Sequence, residues 1–288
     1  MLAQARELME KARAGVYALG AFNTINLEVT QAIIRAANEK RSPVVVQVSE
    51  TTIAYAGLKS ITQIVCTVAE EEGKDVPIAL HLDHGRSFHS IAACIKAGFS
   101  SVQIDASDLG FEENINLTRQ VVDFAHSKDV FVQGELGRVG GMHGVLKKNG
   151  KKIERIDYTD PLQVKEFVNR TGIDSLAVSI GTVHGLYKAK MRFDILEEIR
   201  SLVPVPLVLH GASGVLPKEV RKAIRSGINK INIDTELRVA FFEALRKFLG
   251  KNKEEADPRK ILGSVREAIQ EIVAIKVELF GSAEKANP

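Results

Sequence analysis

The chain has 288 residues, 45% of them hydrophobic, which supports a large buried core and excludes general disorder. Lys and Arg together number 39 against 36 Asp and Glu, so the formal net charge is only +3. That balance excludes a basic surface built for a nucleic acid, and the only dense basic run, Lys147 to Lys152, falls in a loop.

Apolar runs of strand length alternate with amphipathic segments of helix length from one end to the other. A helix over Leu2–Ala14 ends at Gly15, and Leu19–Asn23 is the first strand. A helix over Leu27–Asn38 precedes the β-branched strand Val44–Val48. Ser60 and Gln63 have capping-box spacing for a helix running through Ala69. The strand Pro77–Leu82 leads to a helix over Ser87–Ala97, closed by Gly98. The strand Ser101–Asp105 leads to a helix from Glu112 to His126, and Val130–Glu135 is the fifth strand. A polar, Gly-rich loop occupies Gly137 to Tyr158.

Asp160-Pro161 then starts a helix that Gly172 closes. The strand Ser175–Ile180 and a helix over Asp194–Arg200 follow, then the strand Pro206–His210 and a helix over Pro217–Ser226. The eighth strand, Lys230–Ile233, precedes a helix over Glu236–Leu249. Asp257-Pro258 marks another Pro-led start, and Ser264 with Glu267 has capping-box spacing for a final helix reaching Phe280. Eight strand–helix units with no linker or repeat predict one (β/α)8 TIM barrel over residues 1–288, with additional C-terminal helices. A nine-stranded or open doubly wound sheet is the competing arrangement.

The two cysteines, Cys66 and Cys94, fall on helical patterns and read as buried free thiols of a reducing compartment. No apolar run approaches the roughly 18 residues of a membrane span. The N-terminal stretch MLAQARELMEKARAG carries acids and lacks a signal-peptide core. The expectation is a soluble cytoplasmic protein with neither nucleic-acid nor membrane partners.

Catalytic groups of such barrels sit at the C-terminal ends of the strands. Of the seven histidines, three fall there: His84, His184 and His210, each followed directly by Gly. Three neutral imidazoles around one mouth suit a catalytic Zn²⁺ with an open position. His81 alternates with Leu82 on its strand and reads as packed or as support for a ligand, whereas His89 and His126 lie on helical patterns and read as solvated. Asp83 either works on a substrate hydroxyl or orients a ligand imidazole. Asp105 and Glu135 end the fourth and fifth strands and could hold a second cation or hydrogen-bond the ligands. Gly211-Ala212-Ser213-Gly214 and Asn232-Ile233-Asp234-Thr235 follow the strands where barrels often place phosphate; as ordinary turns they would need no ligand.

Together these motifs resemble the class II, metal-dependent fructose-bisphosphate aldolases and their tagatose-bisphosphate relatives. The resemblance runs through Gly20-Ala21-Phe22-Asn23, His81-Leu82-Asp83-His84-Gly85, Gly134-Glu135-Leu136-Gly137 and Gly181-Thr182-Val183-His184-Gly185 with Tyr187-Lys188. It continues through Leu209-His210-Gly211-Ala212-Ser213-Gly214, Lys230-Ile231-Asn232-Ile233-Asp234-Thr235 and Asp257-Pro258-Arg259, nearly the whole chain in the family's order.

The resemblance implies Zn²⁺ on His84, His184 and His210, and Asp83 acting on the C4 hydroxyl during C3–C4 cleavage. Gly185, Gly211, Ser213, Asn232, Asp234 and Thr235 would bind dihydroxyacetone phosphate, with Lys188 nearby and Asn23 and Ser49 close to substrate. Arg259 would reach a neighbouring subunit to hold the distal phosphate, which implies a homodimer or homotetramer. Asp105 and Glu135 match carboxylates of an auxiliary divalent or monovalent cation, or of a resting metal position. Asp234 favours fructose 1,6-bisphosphate over the tagatose isomer. One departure stands out: Met142-His143-Gly144 follows Gly140-Gly141, where relatives carry loop acids, and no Asp or Glu occurs from Leu136 to Ile153. Either His143 substitutes, Glu154 reaches in, or the proton exchange on the three-carbon fragment is served otherwise. His143 is the expected substitute, because imidazole titrates near neutral pH, and its alternative reading is a solvated loop residue. A phosphosugar-binding protein without lyase activity is the non-enzymatic alternative.

Overall fold

The computed structural model describes residues 2–141, 156–186 and 190–286. In chain order it forms α1 (Ala5–Ala14), β1 (Leu19–Asn23), α2 (Leu27–Glu39), β2 (Val44–Ser49), α3 (Glu50–Ala56) and α4 (Leu58–Glu72). Next come β3 (Ile78–Gly85), α5 (Phe88–Lys96), β4 (Ser101–Ile104), α6 (Phe111–His126), β5 (Phe131–Leu136) and the short β6 (Gly140–Gly141). The chain continues with α7 (Pro161–Thr171), β7 (Ser175–Val178), β8 (Val183–His184), α8 (Phe193–Leu202) and β9 (Leu207–Leu209). It ends with α9 (Pro217–Arg225), β10 (Ile228–Ile233), α10 (Thr235–Lys251) and α11 (Pro258–Phe280).

Eight of these strands close into a parallel barrel in the order β1, β2, β3, β4, β5, β7, β9, β10 and back to β1. Closure removes the open-sheet alternative. Successive strand residues point alternately inward and outward, and the packing follows that alternation. Leu19, Ala21, Val45, Ala79, Phe131, Ala177 and Val208 form an inner cluster with Leu8, Met9 and Ala12 of α1. Their sequence neighbours Val44, Val46, Leu80, Val132, Leu176 and Leu207 join the outer core shared with the helices. Helix α1 therefore plugs the end of the barrel opposite the strand C-termini. Above the apolar plug comes a polar layer of buried Gln47, His81, Gln103, Gln133 and Lys230.

Several helix boundaries follow directly from local chemistry. Asp160 and Asp257 each accept a backbone N–H just after Pro at the first helical position, at 3.0 and 2.9 Å. Gly172 closes α7 at φ +70°. Other boundaries differ from expectation. Helix α4 begins at Leu58 after Gly57, so Ser60 lies inside it and caps nothing. Ser264 lies inside the continuous α11 and donates to Ile261 O at 2.7 Å. Helix α3, unanticipated, starts where the Ser49 hydroxyl accepts from Thr52 N. Lys230, expected at a strand start, sits within β10 and is buried.

Helix α11 packs on α2 and α10, tied by Lys276 to Glu236 at 2.7 Å and Lys40 to Glu278 at 2.7 Å. Cys94 is buried and its thiol is pushed up to about 12 by burial, while Cys66 is half-buried. His126, expected to be solvated, is paired through Nε2 with Asp174 at 2.9 Å. Among the described residues no single helix is long and apolar enough to cross a membrane.

Candidate active site

The C-terminal mouth of the barrel gathers the three strand-end histidines. His84 Nε2 and His210 Nδ1 face each other at 3.1 Å. The ring of His184 lies 5.4 Å from that of His84 and 6.4 Å from that of His210, centre to centre. Two local devices create this convergence. The β3–β4 register shifts between Leu82 and Gly85, and His84 between them takes φ +52°. A positive φ in a non-glycine residue is strained and persists where surrounding contacts hold it; here Gln103 Oε1 accepts the His84 backbone N–H at 3.1 Å. His184 is set by the short parallel pairing of β8 with β6.

Carboxylates surround the histidines. Asp105 Oδ2 lies 2.7 Å from His84 Nδ1, which directs the other ring nitrogen into the mouth. Burial opposes charge on both partners of this contact. Even so, Asp83, the Asp105 hydrogen bond and Glu135 carry His84 up to about 10, while His84 and Ser107 hold Asp105 below the usual carboxylate range. Glu135 is buried, takes 2.7 Å donation from Gln103 Nε2 and is pushed well up by burial, then by Asp105. His210 is driven well down by burial, then by His84 and Lys230, and so is held as the neutral imidazole that metals bind.

These donors fit a divalent cation. Asp83, His84 and His210 each offer a ligand atom within 4.8 Å of the others, as do His84, Asp105 and Glu135. The first group adjoins His184 in one hollow, matching the nitrogen-rich set that suits zinc.

Asp83 itself is buried between two amides. Asn23 Nδ2 donates to its Oδ2 at 2.8 Å and Asn232 Nδ2 to its Oδ1 at 3.1 Å. The carboxylate is thus fixed at the mouth rather than folded against His84 Nε2, 4.0 Å away. The same hollow is lined by Gly185, Gly211, Ser213, Asp234 and Thr235. At Gly211, φ is +63° and an added Cβ would come within 2.7 Å of the Val183 backbone, so only glycine keeps this approach open. Burial raises the Asp234 carboxyl, opposed by Arg238 at 2.7 Å.

Ser49 lines the adjoining recess with Glu50, Arg86 and Arg238. Arg259 is not in the mouth: it is highly exposed at the start of α11 and pairs with Asp257 at 2.9 Å. His143 and Lys188 lie outside the described residues. Sequence reasoning passed over Gln103, Gln133 and Arg238; inward alternation on β4 and β5 and the i,i+4 spacing from Asp234 were the available signals. A larger hollow of about 940 Å³, lined by Cys66, His89, Phe99 and Phe124 among others, opens elsewhere and includes none of the three strand-end histidines.

A family model described as class-II fructose-bisphosphate aldolase matches residues 3–285. The chain is 46% identical over 288 residues to a fructose-bisphosphate aldolase of Geobacillus stearothermophilus, covering 99% of each. It is 44% identical to one of Thermus caldophilus over 99% of this chain and 100% of the relative. The crystal structure of the YdjI aldolase from Escherichia coli K12 superimposes with a TM-score of 0.87 at 37% identity, covering all of both chains. With a family match spanning the whole barrel and relatives this similar over its full length, this chain belongs to the class-II fructose-bisphosphate aldolase family.

Proposed function

We propose that the protein reversibly cleaves fructose 1,6-bisphosphate to dihydroxyacetone phosphate and glyceraldehyde 3-phosphate, with Zn²⁺ held by His84, His184 and His210. The observation that carries this reading is the convergence of these rings beside an Asp83 carboxylate clamped by Asn23 and Asn232. A cation there supplies Lewis acidity toward the negative charge that develops on the three-carbon fragment.

The chain's own groups do the rest. Asp83 takes the proton of the C4 hydroxyl. As the C3–C4 bond breaks, C4 becomes the aldehyde carbon and the bonding pair passes to C3 of the three-carbon fragment. That carbon then takes up a proton, with His143 as the proposed donor, and the fragment leaves as dihydroxyacetone phosphate. In condensation the same carboxyl returns the proton. Gly185, Gly211, Ser213, Asn232 and Thr235 hold dihydroxyacetone phosphate, with Thr235 at the N-terminus of α10, where backbone N–H groups favour an anion. These contacts lie away from the breaking bond and supply positioning energy. Asp105 orients the His84 ring, and Asp234, held by Arg238, sets the preference for fructose bisphosphate. The working compartment is the cytoplasm.

The test is to assay the zinc-loaded protein on fructose and tagatose 1,6-bisphosphates, following glyceraldehyde 3-phosphate. Higher kcat/KM on the fructose isomer is expected. A higher value for tagatose bisphosphate reverses the substrate assignment, and no product from either supports a binding protein instead.

A further inference from the structure

Five side chains at and beneath the mouth, three of them buried, form an unbroken hydrogen-bonded line. Lys230 Nζ donates to Gln133 Oε1 at 2.9 Å. Gln133 Nε2 lies 3.0 Å from His210 Nε2, and His210 Nδ1 lies 3.1 Å from His84 Nε2. The line ends at Asp105, 2.7 Å from His84 Nδ1. An ammonium group only donates, so Lys230 draws the oxygen of Gln133 toward itself and leaves the amide N–H pointing at His210. Asn232 Nδ2, committed to Asp83, also faces that nitrogen at 3.4 Å. In this polarity, with the His84 ring neutral as a cation at its Nε2 requires, His210 Nε2 accepts and Nδ1 carries the ring proton, directed at His84.

That polarity opposes a metal. A cation between His84 and His210 uses a lone pair on His210 Nδ1, so the ring proton must sit on Nε2 and needs an acceptor there. Turning the Gln133 amide over supplies its oxygen. The amide N–H then faces Lys230, which can accept only as the neutral amine. Burial, resisted by Asp83, lowers Lys230 to about 7, so that form is accessible.

We propose that Gln133, anchored by Lys230, is a positioning residue for the metal centre, whose amide orientation selects the nitrogen of His210 that carries the proton and thereby tunes cation affinity. The inference rests on the reading that His84 and His210 hold the cation. It assigns a purpose to a lysine buried inside the barrel that cleavage itself does not use.

The test measures zinc affinity by chelator competition in wild type, Q133E and Q133M, with melting temperature as the control for folding. A carboxylate at position 133 accepts from both Lys230 and His210 Nε2–H, so Q133E should bind zinc at least about tenfold more tightly, and Q133M at least about tenfold more weakly. ¹⁵N-histidine NMR of the zinc-loaded proteins supplies a readout that a merely structural role would not move. The His210 Nε2 proton should shift downfield in Q133E and exchange faster with water in Q133M. Affinities equal within about twofold, or shifts of both variants in one direction, overturn the proposal. If Q133M does not fold, Q133E decides alone, since it keeps side-chain size and the Lys230 contact. Wild type that binds no zinc, or His210→Ala with wild-type affinity, overturns the metal reading itself, whatever the Gln133 variants do.

Discussion

Asp83 has both carboxylate oxygens occupied by side-chain amides, from Asn23 and from Asn232, and its backbone neighbour is His84. Those bonds fix its position for proton transfer. Asp83→Asn should therefore lower kcat for cleavage by about 10²–10⁴-fold while zinc content stays at the wild-type level. Zinc loss in parallel with activity would make Asp83 a ligand or ligand support instead. The residues legible in the sequence were those that strand ends expose: a His before a Gly after an apolar run states its place. Gln133 and Lys230 were not legible, because a polar residue inside a strand announces neither its direction nor its partners. The His126–Asp174 pair was hidden for a similar reason, since its two members come from different units of the barrel, 48 positions apart.

At the scale of elements, the Pro-led helix starts at 161 and 258 were readable because Pro fixes its own φ and lacks an N–H that the first turn would leave unpaired. Ser60 and Ser264 misled because capping spacing recurs inside helices, and only tertiary packing decides where the helix begins. Between α2 and α4, Arg35 and Gln31 both bond Glu72. The Arg35 hydrogen bond holds the Glu72 carboxyl below its ordinary value, against the opposing effect of partial burial. A folded pKa below the unfolded one gives stability that is present above the unfolded value, about 4.3, and is lost as pH falls through the folded value. Glu72→Gln should thus cost about 0.5–1 kcal/mol at pH 7. Thermal melts should show the gap to wild type closing as pH drops below about 4. A gap that persists undiminished in acid would assign the cost to packing.

At the scale of the whole molecule, alternation of strand and helix patterns was enough to predict a barrel, and closure by β1 with β10 bears it out. The inner plug by α1 was not predicted, because an amphipathic helix does not say which surface it covers. The barrel also leaves one expected substrate contact outside its own mouth: Arg259 projects from α11, exposed. We propose that it completes the distal phosphate site of a neighbouring copy. Arg259→Ala should then raise KM for fructose 1,6-bisphosphate about tenfold or more while leaving dihydroxyacetone phosphate binding unchanged, since one phosphate contact by a charged donor contributes about 1.5–3 kcal/mol. An unaltered KM would remove Arg259 from the site.

Everything proposed for the mouth depends on the histidine cluster holding the cation on which cleavage relies. The most direct measurement strips the purified protein with a chelator, verifies metal loss by elemental analysis, and assays fructose 1,6-bisphosphate cleavage before and after adding back zinc. Activity should disappear with the metal and return on zinc addition in wild type but not in His84→Ala. Cleavage that continues in fully metal-free protein would contradict it.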